Sequence, residues 1–449
     1  MEYEKNNFIL QGDLCWSRDA RNLETRSGAY LVCREGKSAG VFEKIPEEYA
    51  SFPVIDRRGK LVLPGLTDLH IHAPQFGFRA LGMDMELLEW LENRAFPEEA
   101  KFGDPSYALP AYQALVEDLK KGPNTRICLY ATVHVEATLM LMDLLEKSGL
   151  ISYVGKVNMD RNCPPYLREE SAAASLEATR LWVEASAGGS GRVRPILTPR
   201  FIPSCSDGLL RGLGEIREQF AMPLQSHLSE TRKEIQWVRE LCPGSSSYAG
   251  AYSDFGLLGP SSIMAHCVWS NENGEEMDLI ARRGVFVAHC PQSNTNLASG
   301  IAPARRFLER GVRIGLGSDV AGGAHSSIFR AMSDAIQVSK LRRFIPGGSP
   351  EDTLSLEEAF YMATLGGGGF FAEADGKGPG SFEAGYDFDA LVVDDGDPAP
   401  PLGLSLRDRL ERVVYLSENR HIAEKYVAGR RVTGSLPARS LLRFAHKTV

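Results

Sequence analysis

The sequence has no excess of positive charge: 50 Lys and Arg are set against 58 Asp and Glu, for a formal net charge of −8. That balance gives no electrostatic footprint for nucleic acid or for an anionic membrane surface, so neither is expected as a partner. No apolar run is long enough to span a bilayer, and the opening MEYEKNNFILQG lacks the basic flank and apolar core of a signal peptide. Cysteine is sparse. The eight cysteines (15, 33, 128, 163, 205, 242, 267, 290) form no C-x-x-C pair and no dense framework, which reads as reduced thiols in a cytoplasmic protein. Internal repeats and low-complexity tracts are missing as well. What remains is a chain of 449 residues, 43% hydrophobic and 24% charged. This is ordinary globular composition, long enough for a large α/β barrel plus a smaller unit, with small-molecule chemistry as the default.

Past residue 60, short β-branched runs alternate with longer amphipathic segments, the signature of βα units and a parallel sheet. The runs are VLPGLTDLHIH (62–72), ICLYATV (127–133), ISYVGKVNM (151–159), VRPILTP (193–199), MPLQSHL (222–228), SIMAHC (262–267), GVFVAHC (284–290) and VRIGLGSD (312–319), eight in all. Helix-like stretches such as SYALPAYQALVEDLKKG and ATLMLMDLLEKSG lie between them, several ending on a Gly suited to a C-cap. The α/β pattern predicts a closed (β/α)₈ TIM-type barrel over 63–375. The flanks, 1–62 and 376–449, read as short antiparallel strands that meet in one small β-sandwich domain; FDALVVD, RVVYLSE and KYVAGRRV supply its C-terminal strands. LGGGGF (365–370) and DDGDPAPPLG (394–403) read as turns.

Active sites of such barrels sit at the carboxyl ends of the strands. Strand one ends at His70 and His72, which share a face because residues i and i+2 of a strand point the same way. Strand four ends at Arg200, strand five at His227, strand six at His266, strand seven at His289 and strand eight at Asp319. Six of the nine histidines, counting His134 at the end of strand two, close one of these strands; buried histidines of purely structural origin have no reason to gather at one mouth. His70, His72, His227 and Asp319 make a suitable shell for zinc with room for water, although iron or manganese accept similar ligands. A binuclear site would need a further bridging ligand near the end of strand four. That strand ends in TPR, so one ion per subunit is expected.

Glu230 stands three residues after His227 in HLSE, within reach of a metal-bound water. An isolated Glu in a first helical turn is more often solvated and favoured by the helix dipole; its place beside a candidate ligand favours the catalytic reading. HVE (134–136) has the spacing of the cytidine-type zinc deaminases but lacks their Pro-Cys-x-x-Cys segment, so His134 and Glu136 read as pocket-lining residues ahead of a direct catalytic role. His289 in AHCPQSN reads as structural or as a support for a ligand.

Taken together, PGLTDLHIH, SHLSE, AHC and GLGSD resemble the metal-dependent amidohydrolase superfamily. Within it, HAPQ (72–75), LLEWLENRAFPEE (87–99), VGKVNMDRN (154–162), TPRF (198–201) and SDVAGG (318–323) resemble the guanine deaminases. The resemblance runs from about residue 60 to about 370, with the flanks matching only in general β character. It implies hydrolysis of a purine base, guanine, to xanthine and ammonia by a homodimer. In that chemistry Asp319 accepts a proton from water, Glu230 delivers one to ring N3, and His266 orients the water or the developing oxyanion. Arg200, which only donates, would bond the 6-carbonyl; Gln75 would meet the imidazole edge; Phe201 and Trp90 would cover the ring faces, with His227 beside them. Two rivals stand beside this reading: an aminohydrolase of the same superfamily acting on a triazine, a pterin or another nucleobase, and a non-catalytic scaffold on the same barrel. The segment AHSSIFRAMSD (324–334) has no assigned role.

Overall fold

The eight β-branched runs form eight parallel strands in a computed structural model that describes residues 7–432, apart from 190, 271–273, 373–375, 398 and 400. The first four barrel strands, Leu66–His72, Asn124–Tyr130, Ile151–Gly155 and Val193–Pro195, pair in order, and so do the last four, Leu224–Leu228, Ser262–His266, Phe286–His289 and Arg313–Leu316. A parallel bridge between Leu197 and Leu224 joins the two groups. The ring closes where Asp319 N donates to His70 O at 2.8 Å and His72 N donates to Val320 O at 3.1 Å. Inside the ring lies an apolar cluster of Leu69, Cys128, Ile196, Ile263, Ala265, Phe286, Ala288 and Cys290. The barrel is therefore a packed core, with its chemistry confined to the mouth.

Helices cover the strands where caps and apolar spacing predict them. Asp104 caps Pro105–Lys121, Gly149 in the left-handed region ends Val135–Ser148, and Ser206 caps Asp207–Phe220. Each buries a stripe of Leu, Val, Met or Ile against the outer faces of the strands. Two segments depart from the expected conformation. RVVYLSE, expected as a strand, belongs to the helix Leu406–Leu416, which Ser405 and Asp408 start with a capping box and which buries Leu410, Val413 and Val414. The 3.6-residue spacing of those side chains overrides the β propensity of Val-Val-Tyr. LGGGGF, expected as a turn, continues the helix Leu356–Tyr361 through a wide turn at Met362–Gly366 into a last tight turn at Gly369–Phe371. Its glycines serve close packing: a Cβ on Gly315 of strand eight would stand 2.6 Å from the Gly367 Cα.

Both flanks of the barrel contribute to the small β domain, whose strands hydrogen-bond into one continuous seven-stranded order. Strand Val54–Pro64 runs in its middle, parallel to Phe8–Ser17 and antiparallel to Ala390–Val393. Two buried basic side chains fasten this sheet to the barrel. Arg126 on strand two bonds Asp389 Oδ2 at 2.7 Å and Asp387 Oδ2 at 3.0 Å, and Lys425 donates to Leu119 O at 2.7 Å and Asn124 O at 3.0 Å. Among the described residues no helix is long and apolar enough to cross a membrane, and all eight cysteines are free.

Candidate active site

The carboxyl ends of strands one, five, six and eight bring His70, His72, His227, His266 and Asp319 to one point. A register irregularity between Asp68 and Ile71 lets Leu69 pack in the barrel interior while His70 and His72 both reach the mouth. His266 follows Met264, which faces the outer helices, so simple alternation would turn it outward. Its left-handed backbone, φ +72°, turns it in; Asp319 is likewise left-handed at φ +46°. A residue with a Cβ pays roughly 1–2 kcal/mol for that conformation, and such positions cluster where geometry serves a site. His289 keeps the alternation. It shares the outer face with Val287 and stays out of the cleft, and burial pushes its imidazole down to about 3. His134 precedes helix Val135–Ser148, with its ring against Gly103, and neither it nor Glu136 lines the cleft.

Within the cluster, Asp319 Oδ1 lies 3.1 Å from His70 Nε2 and 3.6 Å from His72 Nε2, while Oδ2 lies 3.8 Å from His266 Nε2. His72 Nε2 and His227 Nε2 face each other at 3.1 Å. His227 Nδ1 bonds the Arg200 carbonyl at 2.6 Å; because a carbonyl only accepts, Nδ1 carries the proton and Nε2 keeps its lone pair for the cluster. Burial, and then the neighbouring imidazoles, hold His72 and His227 well below the usual histidine range. Burial opposes ionisation of Asp319, yet the surrounding imidazoles, His70 foremost, hold its carboxyl well below the usual carboxylate range. The buried His70 Nε2 faces the Asp319 carboxylate at 3.1 Å without well-formed hydrogen-bond geometry. Neutral imidazoles with inward lone pairs, an ionised carboxylate and a ring nitrogen without a well-formed hydrogen bond fit a divalent cation. The ligand atoms of His70, His227 and His266 lie within 4.8 Å of one another, as do those of His70, Cys290 and Asp319. Cys290 was not among the residues expected from the sequence.

Glu230 is 3% exposed, which excludes a solvated first-turn role. Its Oε1 accepts from Ser299 Oγ at 2.8 Å and its Oε2 lies 3.4 Å from His266 Nε2. Burial raises its carboxyl above the usual range even though His266 opposes the shift. His266 therefore stands between the carboxylates of Glu230 and Asp319, with its Nδ1 fixed by Asn294 Oδ1 at 2.8 Å. Burial alone would lower its imidazole, but the two carboxylates outweigh burial and raise it. Glu234 holds the backbone of this segment, accepting from Glu230 N at 3.2 Å and Thr231 N at 3.4 Å.

A small, partly enclosed cleft opens above the cluster. Gln75, Arg200, Phe201 and Trp90 line it together with His72, His227, Glu230, His266 and Asp319, and Leu87, Leu91 and Leu297 add apolar wall. Gln75 Oε1 accepts from Ala321 N at 3.1 Å, and its Nε2 donates to Glu99 Oε1 at 2.7 Å. Arg200 donates to Glu99 Oε2 at 2.6 Å. Among the described residues the guanidinium makes no further hydrogen bond, so its other N–H groups remain available. Trp90 is held by its own Nε1 bond to Leu81 O at 3.1 Å. Sequence reasoning missed Glu99, Asn294, Ser299 and Glu234, each of which hydrogen-bonds a residue of the site, and Glu234 also lines the cleft.

The amidohydrolase family model matches residues 61–432. Guanine deaminase of Dictyostelium discoideum is 39% identical over 384 residues, 84% of each chain, and that of Homo sapiens is 36% identical over 402 residues, 87% of each chain. A crystal structure of guanine deaminase from C. acetobutylicum, with guanine bound in its active site, matches with a TM-score of 0.90 at 43% identity, covering 95% of this chain and 100% of that one.

Proposed function

The chain belongs to the amidohydrolase family, and we propose that it hydrolyses guanine to xanthine and ammonia. The observation that carries this reading is the furnishing of a single cleft. Its floor gathers carboxylates and imidazoles suited to acidifying water and moving protons. Its rim presents Arg200 and Gln75, both anchored on Glu99, to whatever ring lies between the apolar walls.

His70, His72, His227 and Asp319 would hold one divalent ion, zinc by preference for this nitrogen and oxygen donor set, whose chemistry when bound is to bring the pKa of water down to about 7. Asp319 turns Oδ1 to His70 and His72 and Oδ2 to His266, so Oδ2 can accept the proton of the attacking water. Glu230, whose carboxyl burial makes easier to protonate, gives a proton to ring N3 as C2 becomes tetrahedral; further transfers then turn the 2-amino group into departing ammonia. His266, between both carboxylates, orients the water or the developing oxyanion. Arg200 bonds the 6-carbonyl, Gln75 meets the imidazole edge, and Phe201 and Trp90 cover the ring faces. Adenine is rejected because its 6-amino group would face donors with no acceptor.

The same reading takes the protein as a cytoplasmic homodimer, in keeping with its free cysteines and with the prevalence of two-fold oligomers. Sedimentation at micromolar concentration is expected to show the dimer; a monomer alone would contradict it. The substrate reading is tested by metal analysis together with ammonia release from guanine, adenine, 2,6-diaminopurine, a pterin and a triazine. Stoichiometric metal and a clear preference for guanine are expected. Preference for a pterin or triazine would move the substrate class, and no ammonia from any compound would make the barrel a scaffold.

A further inference from the structure

We infer that Glu99 is a positioning residue for base recognition: its buried carboxylate ties Arg200 and Gln75 into one rigid unit that reads the purine. The inference rests on the guanine reading of the cleft. Glu99 is 2% exposed and Arg200 3% exposed, so neither is held in place by solvent. One oxygen of Glu99 receives Gln75 Nε2 at 2.7 Å and the other receives Arg200 at 2.6 Å. The short helix Phe96–Ala100 that carries Glu99 also places the Phe96 ring 5.0 Å from the Arg200 guanidinium carbon. Residues i and i+3 of a helix share a side, so Phe96 and Glu99 grip the guanidinium from its face and its edge.

The grip also links the rim to the floor. From Ala321, two residues past Asp319, a hydrogen bond runs to Gln75, then on to Glu99 and Arg200, whose carbonyl receives His227 Nδ1. Reading groups and candidate metal ligands therefore share one chain of contacts, in which Glu99 joins the turn after strand one to the segment after strand four. Glu99 does not line the cleft, so it acts through Arg200 and Gln75.

A glutamine at this position is nearly isosteric, but an amide offers one acceptor oxygen where the carboxylate offers two. It can satisfy Gln75 Nε2 or Arg200, and not both. Glu99→Gln is thus expected to keep the metal and lower kcat/KM for guanine by about 10-fold or more, chiefly through KM, because no reacting atom is touched. It should also narrow the preference for guanine over 2,6-diaminopurine. In an Arg200→Met background the same substitution should change guanine kcat/KM by less than about 3-fold, since its main target is gone. An equal effect in both backgrounds, or an unchanged preference, overturns the inference. Crystal structures of wild type and Glu99→Gln without any base supply a readout independent of substrate: Arg200 or Gln75 should leave its wild-type position. Both residues unmoved would overturn the positioning role, whereas failure of wild type to deaminate guanine would overturn only the substrate assignment.

Discussion

Lys425 is fully buried beneath the small sheet, and replacing it with Met should change how stability depends on pH. Burial pushes its amine down from the ordinary 10.5 to about 7, against a smaller upward pull from Asp118 and Asp389. From about pH 7 to about pH 10.5 the unfolded chain therefore binds this proton more fully than the folded one, so stability rises with pH across that window and is flat outside it. With those two values, the group contributes a gain of about 2.5 kcal/mol between roughly pH 7.5 and pH 9.5. The assay is denaturant unfolding of wild type and Lys425→Met across that range. Loss of the two bonds to Leu119 O and Asn124 O gives the variant a constant offset. The difference in slope is the informative quantity, because Cys and Tyr titrations cancel in the comparison. Wild type should gain stability relative to the variant as pH rises; parallel curves would refute a neutral amine under the sheet.

At the site, His72→Ala and Asp319→Ala should each lose most bound metal and activity together, and stoichiometric metal in either purified protein would remove that residue from the ligand set. Glu230→Gln should keep its metal while its rate falls by about 10²- to 10⁴-fold; a near wild-type rate at neutral pH would exclude Glu230 from proton transfer. Arg200→Met should narrow the preference for guanine over 2,6-diaminopurine, mainly by losing guanine turnover. It should also destabilise the protein by about 3–5 kcal/mol, because it leaves the buried Glu99 carboxylate without its cation. Adding Glu99→Gln to it should restore part of that stability, and a further loss in unfolding experiments would contradict the pairing.

The barrel and the floor of its site were legible because chemistry restricts which residue types can stand at a strand end. His70, His72, His227, Glu230 and Asp319 announce themselves as ligand or proton-transfer types at positions the strand count already marks. The supports were not legible. Glu99 lies 101 residues from Arg200 in sequence, inside an acidic pair where nothing local says that Glu98 pairs with Lys101 near the surface while Glu99 turns inward. His266 and His289 look equivalent in the sequence, since each closes a strand as Ala-His-Cys. They differ in backbone: His266 is left-handed and lines the cleft, whereas His289 is not left-handed and does not line it. RVVYLSE and LGGGGF misled for the opposite reason, since their local propensities are strong and only the barrel they pack against reverses them.

This division bears on how selectivity arises on such a barrel. A floor of imidazoles and carboxylates can activate water against many ring carbons, so it does not by itself choose a base. Choice requires groups at the rim that are rigid before the ring arrives, because a donor free to swing aside would accommodate an amino group as easily as a carbonyl. Arg200 is a long side chain with much rotamer freedom to lose. Phe96 lies over its guanidinium, Glu99 bonds it and its own carbonyl is pinned by His227, which is what the proposed reading needs of a fixed donor. If the base were selected by cleft shape alone, loosening that grip would leave the preference intact while weakening the fold. If it is selected by aimed donors, the preference falls while the metal stays, and the guanine to 2,6-diaminopurine ratio in Glu99→Gln separates the two.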